Sequence, residues 1–360
     1  MEYTADLPLG QALESRGFTE REFLDLCGTV AVAAGIDERR APQVATALDA
    51  AFQRVRGRAL YPVIWLEGAS CSGCTESFAQ LAPPGIAAVV LEMLSLDYSD
   101  MLAAGAGSSV EAAKEHTIAA GGYLLIYEGA VTLAFEGHSL RAADAPGIDH
   151  LERAARGAQA VIALGSCAVN GGWMAAPPNA PRAVGVQEHL AAQGIAVPVV
   201  NIPGCPANPD WLLSVLVRLV MLGGMEAVAL DGDGKPQGLF GDTVHDNCAR
   251  RGSFEAGRFA FAPASAEAAE GACLYGLGCR GPQTKALCGI TLWNSRRSWC
   301  VYADAPCIGC CDSDPAGPSW FGRNKAVNGA DRRAVPFGPS TGEPTAFGRP
   351  VAIASFGLRM

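Results

Sequence analysis

Thirteen cysteines in a chain of 360 residues invite a chemical explanation, and their grouping says more than their number. Cys71-Ser-Gly-Cys74 and Cys307-Ile-Gly-Cys310 are CxxC pairs, a spacing that lets a tight loop grip one metal centre. An odd total excludes complete disulfide pairing. With 49% hydrophobic and 18% charged residues, the chain also buries a core large enough to need no covalent staples.

The remaining thiols fall into sets. Cys71 and Cys74, Cys167 in Leu164-Gly-Ser-Cys-Ala168, and Cys205 in Ile202-Pro-Gly-Cys-Pro206 each follow a strand-like run. Ligands of open α/β sheets bind outside the carboxyl ends of the strands, so these four thiolates are expected to converge. Four cysteines suit a [4Fe–4S] cluster, and the adjacent Gly68, Gly73, Gly165 and Gly204 let backbone amides approach its sulfurs. Cys₄ zinc is the competing reading, but structural zinc generally uses two short local hooks rather than three separate loops. His245 with Cys248, Cys273 and Cys279 forms a second set, and Cys288, Cys300, Cys307 and Cys310 a third.

The elements that must position these groups are alternating. Strand-like runs at Pro62–Leu66, Ala87–Leu91, Tyr123–Tyr127, Ala160–Leu164 and Val197–Val200 are separated by Ala-rich segments of helical length. This predicts a parallel sheet with helices on both faces, closed by a buried helix at 211–222. Before it, Pro42–Arg56 reads as an amphipathic helix. After about Leu230 turns dominate, and eight cysteines fall between 248 and 311, a region organised around inorganic centres rather than an apolar core. The net charge of −9, without a basic run, excludes nucleic acid as a partner, and no apolar run reaches the ~18 residues of a membrane span.

Seven ordered segments carry a family resemblance: Trp65–Ser77, Leu96-Asp-Tyr98, Gly165-Ser-Cys-Ala168, Gly204-Cys-Pro-Ala-Asn-Pro209, His245–Glu255, Cys273–Pro282 and Pro306-Cys-Ile-Gly-Cys310. Over about residues 60–322 the chain resembles the small, electron-transferring subunit of [NiFe] hydrogenases. The resemblance implies a flavodoxin-like, doubly wound domain over 59–230 with a proximal [4Fe–4S] cluster on Cys71, Cys74, Cys167 and Cys205. It implies an irregular cluster domain over 231–322, with a distal [4Fe–4S] cluster on His245, Cys248, Cys273 and Cys279 and a medial one between, and leaves 323–360 as a tail. It also implies a heterodimer catalysing H₂ ⇌ 2H⁺ + 2e⁻. The Ni–Fe site lies in a separate large subunit, and an electron acceptor or donor docks at the distal cluster.

Three departures sharpen this. Family members usually carry proline where this chain has Cys300, and hold a medial [3Fe–4S] cluster; here Cys300 supplies a fourth thiolate, so a medial [4Fe–4S] cluster of lower potential is expected on Cys288, Cys300, Cys307 and Cys310. Oxygen-tolerant members add two cysteines at positions corresponding to Gly73 and Gly172, so a conventional proximal cluster and rapid inhibition by air are expected. Exported members begin with a twin-arginine signal. The segment Thr19–Asp25 followed by Cys27–Ile36, within residues 1–58, resembles a degenerate one, with Glu20 for the first arginine and Asp25 for the usual lysine. A cytoplasmic protein is expected, the alternative being a periplasmic one or one held at the membrane through a partner.

Other residues read as ordinary. Cys27 sits in an apolar stretch as a core thiol, and Cys311 is a spectator, though it is the obvious substitute if Cys300 points away. Asp231–Lys235 is a plain turn rather than a calcium loop, and His116, His138, His150 and His189 lack ligand spacing. Glu76 and Glu128 flank the proximal loops, where they hydrogen-bond locally or help a proton leave. Two other functions fit the resemblance: a hydrogen sensor on the same scaffold, or the cluster-bearing subunit of another respiratory complex, which lacks the His245–Cys310 half.

Overall fold

A computed structural model describes residues 60–81, 85–86, 94–176, 178–221 and 224–312, with the short N-terminal stretches 24, 27–28, 30–31 and 42–46. Five parallel strands form the central sheet: β1 (Tyr61–Glu67), β2 (Leu94–Ser99), β3 (Tyr123–Glu128), β4 (Ala158–Leu164) and β5 (Val199–Ile202). Their order is β2-β1-β3-β4-β5, so the chain runs outward from β1 to β2 and then crosses back to β3. That reversal opens a crevice at the carboxyl ends of β1 and β3, where doubly wound flavodoxin-like sheets bind their ligands. The second strand lies at 94–99, containing Leu96 and Tyr98, whereas the run expected at Ala87–Leu91 lies outside the described residues.

Alternation along each strand feeds two separate cores. Val63, Trp65, Leu124, Ile126, Ile162, Leu164, Val200 and Ile202 point to one face, while Ile64, Leu66, Leu125, Tyr127, Val161 and Ala163 point to the other. Helix α3 (Gly147–Gly157) covers the second face with Leu151, Ala154 and Ala155, spaced to fall on one helical stripe. The first face is covered by α6 (Pro209–Met221), whose buried Trp211, Leu212, Leu213, Val215, Leu216 and Val217 surround its axis. The other helices of this unit are α1 (Gly73–Ala79), α2 (Ser108–Ala120), α4 (Gly165–Asn170) and α5 (Val186–Ala192).

Residues 224–312 contain no strand longer than an isolated bridge, and only short helical turns. Their Leu274, Leu287, Trp299 and Val301 nevertheless join the first-face core. Trp211 is the main joint: its ring meets Phe240 at 5.1 Å and Trp293 at 5.5 Å, and its indole donates to Thr291 Oγ1 at 3.0 Å. Beside it, Arg296 grips the buried Asp210 with two bonds of 2.9 and 3.0 Å. The irregular region is therefore docked on the same face that α6 covers.

The ordinary readings of Cys27, the 231–235 turn and the four histidines agree with the structure. Cys27 is fully buried, and burial lifts its thiol to about 12. Asp231–Lys235 is a turn closed by Asp231 N–H to Lys235 O and stitched by Asp231 Oδ1. His189 pairs with Glu152, His150 with Lys114 and His138 with Arg141, while His116 is exposed.

Candidate metal centres

Register places the first four thiols. Glu67 pairs with Glu128, Glu128 with Leu164, and Leu164 with Ile202, so β1, β3, β4 and β5 end on one line and their loops start side by side. The loops are then tied across. Ala69 and Ala130 exchange main-chain bonds of 2.9 and 3.0 Å; Ser166 N–H donates to Gly204 O, and Gly204 N–H to Ser166 Oγ, each at 2.9 Å.

Glu128 holds the CxxC loop. Its buried carboxylate accepts from Cys74 N–H, Thr75 N–H, Thr75 Oγ1 and Ser70 Oγ at 2.8–3.1 Å. Glu76 faces solvent on α1 and makes no such contact, so of the two acids flagged by position only Glu128 shapes the loop. Glu67, which position alone did not single out, shares Thr75 with Glu128 and is raised to about 6 by burial and then by the Glu128 charge.

The interior of this loop cluster is a cradle that side chains would fill. A Cβ on Gly165 would lie 2.5 Å from Cys74 Sγ, one on Gly172 2.7 Å from Cys167 Sγ, and one on Gly73 3.1 Å from Cys71 Sγ. Cys74, Cys167 and Cys205 repel one another's charged forms. Burial chiefly, with that repulsion, sets Cys167 and Cys205 at about 11 and Cys74 well above the ordinary thiol value. Thiols so placed ionise only onto a cation, which is what metal ligation demands. Among the described residues, no three His, Cys, Asp or Glu groups converge closely enough to hold a single ion. Zinc, with four donors at ~2.3 Å, draws no support from that spacing.

The second set lines one pocket, with His245, Cys248, Cys273 and Cys279 around it and Val244, Leu274 and Val301 among their neighbours. His245 is fixed by its N–H to Gly281 O at 3.1 Å and by the edge of Phe254, 4.6 Å between ring centres. Burial and then the Arg251 charge lower its pKa, keeping the imidazole neutral with a free lone pair. Arg250 N–H and Gly281 N–H donate to the Cys248 and Cys279 sulfurs, each at 3.4 Å.

The third set lies between the other two. Toward the sheet, Ser166 Oγ, next to Cys167, donates to Cys310 O. Toward the cavity, Arg280 N–H, next to Cys279, donates to Cys307 O at 2.7 Å. Cys288 and Cys307 are buried, and Cys310 is partly so. Cys300 is exposed, although desolvation and then the Cys310 charge still raise its pKa. Cys311, unlike a bystander, is buried with its sulfur 4.0 Å from that of Cys310. Three thiol sets, tied to one another by hydrogen bonds from residues beside their ligands, describe an iron–sulfur electron-transfer protein.

Known proteins fix the family. Residues 71–219 match the profile described as NADH ubiquinone oxidoreductase, 20 Kd subunit, and residues 240–318 match the profile for the C-terminal part of the NiFe/NiFeSe hydrogenase small subunit. The chain is 38% identical over 303 residues to the periplasmic [NiFe] hydrogenase small subunit of Solidesulfovibrio fructosivorans, covering 84% of this chain and 91% of that one. It is 35% identical over 305 residues to the hydrogenase-1 small chain of Escherichia coli K12, covering 84% and 78%. A solved [NiFeSe] hydrogenase structure from Desulfovibrio vulgaris Hildenborough superposes with a TM-score of 0.66 at 33% identity, covering 72% and 96%. The chain belongs to the family of [NiFe] hydrogenase small subunits. It is the electron-relay subunit of a hydrogenase, an oxidoreductase acting on H₂, in a family whose small subunits carry iron–sulfur clusters and work with a large subunit. The competing respiratory subunit accounts for residues 71–219 alone.

No helix among the described residues is long and apolar enough to cross a membrane. The relative from Solidesulfovibrio is named periplasmic, and the cytoplasmic expectation finds no support among these relatives. Most of the signal-like segment at 19–36, and the helix expected over 42–56 beyond Thr46, lie outside the described residues.

Proposed function

We propose that this subunit holds three clusters in series. Cys71, Cys74, Cys167 and Cys205 would hold a proximal [4Fe–4S] cluster, Cys288, Cys300, Cys307 and Cys310 a medial [4Fe–4S] cluster, and His245, Cys248, Cys273 and Cys279 a distal [4Fe–4S] cluster. Each, when bound, supplies one-electron storage at an iron centre. The observation that carries this reading is the pair of hydrogen bonds that tie the medial set to its neighbours, Ser166 Oγ to Cys310 O on one side and Arg280 N–H to Cys307 O on the other.

The chain's own groups tune and order the relay. Amide donors on Cys74, Cys248 and Cys279 stabilise negative charge on sulfur, which raises a cluster's potential. Glu128 orients the CxxC loop and leaves its N–H groups committed. Neutral His245, half in solvent, suits a surface exit where an external redox partner docks. The large subunit would contact the side where Cys71, Trp173 and Met174 are exposed, an apolar patch suited to an obligate interface. The fold division at about residue 230 separates the sheet-built centre from the two turn-built ones.

Anaerobic purification of the heterodimer, iron analysis and an EPR redox titration test the reading. About 12 iron atoms per small subunit and three titrating centres are expected, counting three four-iron clusters. A stoichiometric three-iron signal in the oxidised protein would sink the four-iron medial assignment. Sustained H₂ turnover separates a relay from a sensor. Fractionating cells and sequencing the mature N-terminus decides the compartment, where a periplasmic product trimmed near residue 50 would end the cytoplasmic reading.

A further inference from the structure

We propose that Cys311 is a reserve ligand for the medial site, able to take the iron corner assigned to Cys300 when that thiol is lost. The inference rests on the four-iron medial reading above.

The two thiols are opposites. Cys300 is exposed on the turn that follows Trp299, whereas Cys311 is 1% exposed. Cys311 touches the set from inside: its sulfur is 4.0 Å from Cys310 Sγ, and it is buried in the same core as Cys288 and Cys307, against which Cys310 also packs. Three of the four assigned ligands thus share its core. A filler thiol needs only apolar surroundings, and here another thiol, Cys310 Sγ, stands 4.0 Å away.

Its own attachments are weak at the sulfur and strong at the main chain. The thiol donates outside the set only to Pro203 O, over 3.7 Å. By contrast, Lys235 Nζ holds Cys311 O at 3.3 Å, Ser166 Oγ holds Cys310 O, and Asn170 Nδ2 holds Asp312 O at 3.1 Å. A fixed backbone with a loosely held sulfur leaves one motion free, rotation about χ1 between staggered wells. In the exchange, the Cys300 sulfur–iron bond breaks and a Cys311 sulfur–iron bond forms. The Cys311 proton passes to the departing Cys300 sulfur, and no iron changes oxidation state. The buried position also shields Cys311 from the solvent oxidants that reach Cys300 first.

The test compares wild type, Cys300→Ala, Cys311→Ala and the double variant as anaerobically purified heterodimers, oxidised and then measured by EPR, Mössbauer spectroscopy and iron analysis. Alanine is used because it cannot ligate iron. Cys300→Ala is expected to keep a four-iron medial centre with a shifted midpoint potential, Cys311→Ala to match wild type, and the double variant to show a stoichiometric three-iron signal. A stoichiometric three-iron signal in Cys300→Ala alone overturns the reserve role while leaving the four-iron reading of wild type intact. The same signal in Cys311→Ala alone makes Cys311 the resident ligand and also overturns it. In wild type, that signal removes the four-iron reading and the inference together. Should the double variant fail to assemble, the Cys300→Ala spectrum still decides.

Discussion

The thiols of the sheet unit and those of residues 224–312 do the same chemistry on different foundations. In the first, aligned strand ends at Glu67, Glu128, Leu164 and Ile202 bring three loops together before any metal is considered. In the second, His245, Cys273 and Cys307 sit on turns whose main chains bond one another, such as Cys273 N–H to Arg258 O and Arg280 N–H to Cys307 O. Regular structure can preform a site, whereas a turn-built site borrows its order from what it binds.

The largest effect should follow iron removal. Chelation under reducing conditions is expected to collapse hydrogen-exchange protection across 240–312, a loss of several kcal/mol on the scale of metal-dependent folding. Amides of β3 and β4 should stay protected, because their cores are apolar and complete. Equal loss in both regions would erase the distinction between the two foundations.

A smaller, local effect tests the preformed cradle. Gly165 has φ +85° and Gly172 φ +48°, and a Cβ at either would crowd a ligand sulfur. Gly165→Ala should cost about 1–3 kcal/mol in backbone strain and displace Cys74, with selective loss of the proximal EPR signal. Retention of that signal with normal iron content would show that the cradle yields. Glu128→Gln should come next, at about 1–3 kcal/mol by thermal unfolding, since an amide NH₂ would face the donors of Cys74 and Thr75.

The same contrast explains what could be read from the chain in advance. Strands such as Tyr123–Glu128 are short apolar runs between turn signals, so the sheet and its loop-borne Cys71, Cys74, Cys167 and Cys205 were legible. The second strand was the weak point, because Leu94–Ser99 carries polar Ser95, Asp97 and Ser99 and scores poorly as an apolar run. In the turn-built half the order of His245 and the cysteines grouped the two sets, and only the motif resemblance gave them cluster types and places in a relay. Nothing in the periodicity says that Cys307 abuts Cys279, or that Cys311 turns inward while Cys300 stays exposed. Those facts depend on tertiary hydrogen bonds, from Ser166, Arg280 and Lys235, that join residues up to 144 positions apart. Ser166 itself lay inside the quoted Gly165–Ala168 motif, yet only its contacts show that it links two thiol sets.

The smallest expected effect is a pH slope confined to the sheet unit. Burial first, and then the Glu128 charge, raise Glu67 from an ordinary 4.5 to about 6. A carboxyl raised on folding favours the folded state while it is protonated. Its contribution is full below about pH 4.5 and is lost as pH rises through about 6. With partial solvent screening this amounts to about 1 kcal/mol between those limits. Glu67→Gln keeps the Thr75 contact and removes the titration, so its unfolding free energy should exceed that of wild type at pH 7 and converge with it near pH 4. The turn-built region should show no matching change, because Glu67 bonds only to groups of the sheet unit, among them Ser72, Thr75 and Asp100. A difference between wild type and Glu67→Gln that stays constant from pH 4 to 7 would assign the effect to packing instead of charge.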